Sequence, residues 1–292
     1  MTTLNRTLKY AWKGRNGYLF TLIPLVSITI FFFVPFVRAI FISFNEYDGT
    51  NLTWVGTKNY LTLFQDENFI KAIQNTLLFT IESLVVGVGI ALISALIIHQ
   101  ISTGKSFFRG AFFLPVVTNM VAVSMLWRML YLQRGLINGL LGFIGLGPIS
   151  FLGSPDNALH AVVITSAWQG FGYSLVIFLA ALESIPKDYY EAAMLDGANF
   201  FQQFWYVTIP SLRYTFLFLS ITGVSGAVMV FTQIYTMTGG GPLNATTTVM
   251  FDLFDRFTHL RLGEANAIGV IIFLFLLAFS ILNLRIGRER DE

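Results

Sequence analysis

Few side chains in this 292-residue sequence could make or break a bond. Cysteine is absent, which removes disulfides, thiol catalysis and thiolate-ligated metals. The three histidines, His99, His160 and His259, lie far apart, with no ligand spacing and no nucleophile to activate. Gly104-Lys105-Ser106 looks like the end of a phosphate-binding loop. That loop also needs a glycine five positions before Gly104, where His99 stands. Enzymatic chemistry is therefore not expected, and any nucleotide used must bind to another polypeptide. Glu82 is a different case, because it stands inside a long apolar run. A carboxylate there costs several kcal/mol unless paired or protonated, which makes it either a functional group or a hydrogen-bonded neutral acid. Arg128, at the end of another apolar run, is expected to snorkel outward.

The most patterned polar stretch is EAAMLDGANFFQQFWYVTIP, Glu191–Pro210. Ser184 and Pro186 ahead of it predict a helix start, with a capping side chain and a ring pre-set for the first turn. Asp188 would then sit at the positive end of the helix dipole. Tyr190, Ala193 and Met194 can share one face, and small Ala192 and Ala193 allow a partner to approach closely. Asp196-Gly197 ends the helix, since glycine accepts the left-handed cap conformation. A second amphipathic piece, Asn199 to Ile209, offers Phe200, Phe204 and Val207 on one side before Pro210 separates it from the next run. Such a pair of short helices fits a protein socket or lies on a membrane surface.

The elements around that stretch are apolar. Mean hydropathy is +0.68, and only 12% of residues are charged, against roughly 25% in soluble domains. Aromatic residues reach 16%, with 30 Phe, more apolar surface than one soluble core could hide. The net charge of +2 gives no reason to expect nucleic acid. Six runs approach the ~20 apolar residues of a span: Leu19–Phe44, Thr76–Ile98, Ala111–Leu132, Ala158–Ala181, Leu212–Met237 and Ala265–Leu284. Helices are the expected form, because lipid demands internal backbone hydrogen bonding and alternating ten-residue strands are absent. The first run is too long for a signal-peptide core and is expected to stay as a span.

Lys and Arg near the span ends set orientation. With the N-terminus inside, eleven lie on the cytoplasmic side: Arg6, Lys9, Lys13, Arg15, Lys105, Arg109, Lys187, Arg213, Arg285, Arg288 and Arg290. Seven lie outside: Arg38, Lys58, Lys71, Arg128, Arg134, Arg256 and Arg261. Both termini are then cytoplasmic, and so is the Glu191 stretch. Asn45–Ile70 is expected as an external loop turning at Tyr47-Asp48-Gly49, and Thr238–Gly263 as a turn followed by a partly buried amphipathic segment.

These residues together resemble a known family. Glu191-Ala192-Ala193, Gly197 six after the Glu and Pro210 thirteen after the Gly are similar to the EAA loop of binding-protein-dependent ABC importer permeases. Val207 and Ile209 stand where that loop usually has Ile and Leu. NTLLFT (Asn75–Thr80), FFRGAFFLPVV (Phe107–Val117) and LWRMLY (Leu126–Tyr131) extend the likeness over nearly the whole chain. Trp168–Ala198 and FTQIYTMTGGGP (Phe231–Pro242) resemble the carbohydrate branch, the first of its two permease subunits.

The resemblance implies an all-α membrane protein of six spans with a cytoplasmic coupling helix, the type I importer permease fold. Its segments would be residues 1–17 in the cytoplasm, 18–70 with the first span and external loop, and 71–285 as the permease domain. The last contains the EAA loop at 184–211, and residues 286–292 form a cytoplasmic tail. Partners implied are a second permease subunit, two ATPase subunits that bind ATP and Mg, an external solute-binding protein and a sugar or oligosaccharide. The chain itself would carry no cofactor. Glu191 would make the charged contact to the ATPase, Ala192 and Ala193 the close packing, Asp196 and Gly197 the turn, and Pro210 the end of the loop. In the sugar branch the face of Ser166, Gln169 and Tyr173, at i, i+3 and i+7, lines the pathway beside Trp168. Met120, Val230 and Gln233 would line its other walls. That face could equally pack against the second permease, and an ion-coupled sugar transporter or a non-sugar ABC permease are the alternative readings.

Overall fold

The computed structural model describes residues 15–101 and 103–288. The basic residues Arg6, Lys9, Lys13 and Arg290 lie outside the described residues, as do most of segment 1–17 and the end of the tail. The described chain forms two compact units: residues 15–62 with 256–270, and residues 63–255 with 271–288.

The first unit begins with α1 (Arg15–Ile28) and α2 (Val34–Ser43), joined by one wide turn of π-helix at Thr29–Phe33. Together they make an apolar span, Phe20–Ser43. Next comes a hairpin of β1 (Asn45–Tyr47) and β2 (Leu52–Trp54), with Asn45 opposite Trp54 and Tyr47 opposite Leu52. Its turn is built by Asp48, whose carboxylate accepts from the backbone N–H groups of Asn51 and Thr50. Those bonds, Asn51 first, hold the Asp48 carboxyl well below the ordinary carboxylate range. Arg256 is buried in the same unit and pairs with Glu264, which Arg261 also contacts.

Helix α3 (Lys58–Gln65) leads into the second unit and α4 (Glu67–Gln100), started by the Asp66 side chain on the Asn68 N–H. There follow α5 (Lys105–Phe113), α6 (Met120–Leu130), α7 (Leu136–Phe143) and α8 (Pro155–Ser184). Then come α9 (Lys187–Leu195), α10 (Phe200–Gln203), α11 (Ile209–Ser211), α12 (Arg213–Val228) and α13 (Thr232–Met237). The chain closes with α14 (Val249–Thr258) and α15 (Leu262–Arg288). Among the described residues four helices are long and apolar enough to span, and two bent pairs bring the total to six. Two apolar clusters hold the second unit together. One gathers Phe79, Tyr131, Leu159, Val162 and Ile234. The other gathers Ala91, Ala95, Leu175, Phe178 and Leu212.

Two expected spans are not continuous helices. The third, Ala111–Leu132, turns by 94° after Val117. Pro115 withdraws an N–H, Thr118 and Asn119 become extended, and the Asn119 side chain caps the next helix through the N–H groups of Val121 and Ala122. The fifth, Leu212–Met237, breaks at Met229–Phe231. There the Val230 carbonyl accepts from the Thr248 hydroxyl instead of continuing the helical ladder. The loop holding Thr248 is itself densely bonded. Asn75 donates to the carbonyls of Asn244 and Thr247, Thr247 donates to Gly240, and the Val249 N–H donates to Thr76.

Candidate functional site

Two places in the second unit hold the residues singled out by the sequence. The first is the Glu191 stretch. Helix α9 begins at Lys187 with Pro186 ahead of it, and Asp188 lies in its first turn. Ser184 does not cap it, because its hydroxyl donates back to the Ala181 carbonyl and closes α8. The helix ends in a Schellman motif, in which the Gly197 N–H bonds Met194 O and the Ala198 N–H bonds Ala193 O. Gly197 takes φ +80° to do so. Glu191, Ala192 and Asp196 are exposed and Ala193 is half-buried, so a carboxylate and a small residue stand outward side by side.

The piece after the cap is anchored rather than slack. Asn199 and Gln202 form a reciprocal capping box. A π turn over Phe204–Thr208 follows, and the Tyr190 hydroxyl meets the Thr208 hydroxyl at 3.0 Å, tying α9 to this piece. Phe204 and Val207 are half-buried, but Phe200 faces outward, so the three do not share one buried side. Pro210 lies inside α11. The break before α12 comes two residues later, at Leu212, with a bend of 61°.

The second place is a cleft of about 290 Å³ between α4, α8, α12 and α13, near the lower end of small-ligand pockets at ~300 Å³. It brings together Ser166, Gln169, Tyr173, Val230 and Gln233. Met120 is not among its walls; it opens α6 just past the 94° bend. The bend reaches the cleft through Gln169, whose amide donates to the Thr118 carbonyl at 3.1 Å. Beside it Gly172 lets the backbone of Phe112 approach so closely that an added Cβ would lie 2.0 Å from its carbonyl oxygen. Ser166 spends its hydroxyl on the Val162 carbonyl. Trp168 is 41% exposed and meets Trp127 edge-on at 5.6 Å.

The walls also include Ser83 and Gly87 on α4, and Thr222 and Gly226 on α12, which the sequence reading missed. Each pair repeats at i, i+4, a small or polar stripe that periodicity could have disclosed. Among the described residues no Lys, Arg, Asp, Glu or His lines the cleft. Glu82, one residue from Ser83, points to His160 on α8, with Oε2 2.8 Å from Nδ1. The acid that had no partner in the sequence has one in the fold.

A transport-system family model, binding-protein-dependent transport system inner membrane component, matches residues 15–289. The chain belongs to this family. It is 33% identical to the probable ABC transporter permease protein YurN of Bacillus subtilis, over 94% of this chain and 97% of that one. It is 32% identical to the multiple sugar-binding transport system permease protein MsmF of Streptococcus mutans, over 98% and 99%. The trehalose/maltose transport system permease protein MalF of Thermococcus litoralis is 31% identical over 99% of each chain. In fold, the family member described here is similar to a chain of a bacterial ABC transporter for import of the acidic polysaccharide alginate. That likeness has a TM-score of 0.86 at 24% identity and covers 98% of this chain and all of the other. The architecture is therefore that of a type I importer permease, an integral component of the membrane.

Proposed function

We propose that this chain is one of two permease subunits of an ATP-driven, binding-protein-dependent sugar importer. Two partner ATPases hydrolyse ATP with Mg, and an external protein delivers the solute. The observation that carries the proposal is the Glu191 helix, a short outward-facing element capped at its end and bonded to the start of span five. Movement applied to Glu191 and Ala192 passes through the Tyr190–Thr208 contact into α12, which is a wall of the cleft. Nucleotide-driven closure of the ATPases moves that helix, and the cleft opens alternately to each side. Each step follows from differential affinity for the two states.

The cleft supports the sugar reading. Uncharged hydroxyl and amide groups beside aromatic faces suit neutral polyols. Relatives named for multiple sugars and for trehalose and maltose point the same way. Both termini and the Glu191 segment then lie in the cytoplasm, in agreement with the Lys and Arg distribution. Asp196, Gly197 and Pro210 shape the loop, while Ser166, Gln169, Tyr173, Val230 and Gln233 meet the solute. Met120 acts at the bend outside the cleft wall.

Glu191→Lys tests the reading. It should abolish uptake and weaken retention of the ATPases on the purified permease, while the protein stays in the membrane. Normal uptake by this variant would remove the coupling role.

A further inference from the structure

Helix α7, between the third and fourth spans, is apolar around most of its circumference. On its inner side Ile137 packs against the cluster of Tyr131, Leu159 and Val162. Buried Asn138 there bonds the carbonyls of Leu132 and Ile149 and the N–H of Ile149. These bonds fix the orientation of the helix. On its outer side Leu136, Leu140 and Phe143 are 63%, 57% and 89% exposed. They fall at i, i+4 and i+7, a single face. A helix apolar on all sides belongs in a core or in lipid.

Two further observations favour lipid. Met125, Met129 and Leu132, in the third span and just after it, are likewise exposed, so the stripe follows directly in the chain on a membrane-spanning element that also presents large apolar side chains outward. Charge agrees with this. Arg134 stands two residues before α7, and neither it nor Arg128 has a partner among the described residues. No Asp or Glu occurs between Glu82 and Asp156. The link between the two spans therefore carries arginines and no acid until Asp156 opens α8, and its charge matches lipid phosphate.

We propose that α7 is an interfacial anchor. Its Leu136–Leu140–Phe143 stripe lies among acyl chains at the bilayer boundary where α8 begins, and Arg134 reaches the phosphate layer. Anchored in this way, the link between spans three and four gives the bend after Val117 a fixed point to move against. The proposal does not depend on the coupling role of Glu191.

Because this chain has no cysteine, one introduced thiol can be labelled on it before the complex is assembled. Leu140→Cys, labelled with an environment-sensitive nitrobenzoxadiazole dye, is placed in the assembled transporter in phosphatidylethanolamine–phosphatidylglycerol nanodiscs. Phe143→Cys supplies a second position on the stripe, and Gly147→Cys, on the turn beyond, supplies an aqueous reference. Both stripe labels should emit to the blue of the reference and be quenched several-fold more by nitroxide phospholipid than by iodide. Quenching by iodide instead would place the stripe in water or under a transiently docking protein. Resistance to both quenchers would mean that another subunit covers it. Either result overturns the proposal.

Discussion

His160 changes the meaning of Glu82. A carboxylate inside a span is costly alone, but an imidazole nitrogen 2.8 Å away gives it a hydrogen bond between two helices, α4 and α8. The pair is not deeply buried, with side-chain exposures of 50% for His160 and 25% for Glu82. Its contribution should therefore be that of a partly screened bond. His160→Leu is expected to lower the thermal midpoint of the purified complex by the equivalent of about 1 kcal/mol. His160→Gln, which can still donate, should recover most of the loss. Equal stability of the Leu variant would show that the contact contributes nothing. The cleft has its own residue-scale economy: Gln169 and Ser166 each bond a protein carbonyl while facing the cleft. Under the proposed function, solute hydroxyls would share these groups with the backbone, whereas the buried Ser83 hydroxyl has no partner among the described residues.

Among the elements, the spans could be read from composition because lipid imposes a length and an apolar content that few other settings demand. Their breaks could not. Met229-Val230-Phe231 is as apolar as the helix around it, and the carbonyl that leaves the ladder is claimed by Thr248, eighteen residues on. Hydropathy carries no record of such a distant donor. The 94° bend had a local sign in Pro115, yet proline in a packed membrane helix is compatible with a mild kink. The cleft face of α8 was visible because Ser166, Gln169 and Tyr173 repeat at helical period. The α4 wall was missed although Ser83 and Gly87 also share a face, because two small residues at i, i+4 look the same as ordinary packing positions. The end of α9 was legible in detail, since a Schellman cap follows from one glycine. Replacing it gives an element-scale test. Gly197→Ala forces a side chain into the left-handed region at a cost of roughly 1–2 kcal/mol. The cap should loosen, and ATP hydrolysis by the reconstituted complex should continue with fewer solutes moved per ATP. An unchanged ratio would show that the turn does not transmit force.

For the whole molecule, the walls described belong to one chain, and the cleft they make is open rather than enclosed. A sealed route needs a second set of walls. Proteoliposomes holding this chain alone are expected to take up a panel of radiolabelled mono- and disaccharides no faster than protein-free vesicles. Accumulation of any of them would mean that one polypeptide suffices.

The segment from Gly239 to Thr248 has a practical consequence. It has little regular structure and would be an obvious place to insert an epitope or a fluorescent domain. Yet Thr246, Thr247 and Thr248 are buried; the Thr248 hydroxyl bonds the break in the fifth span, while the Thr247 carbonyl and the Val249 N–H bond Asn75 and Thr76 of helix α4. An insertion there would cut a joint. The turn at Gly145–Gly147 is exposed, and a tag placed there would be carried without entering that joint.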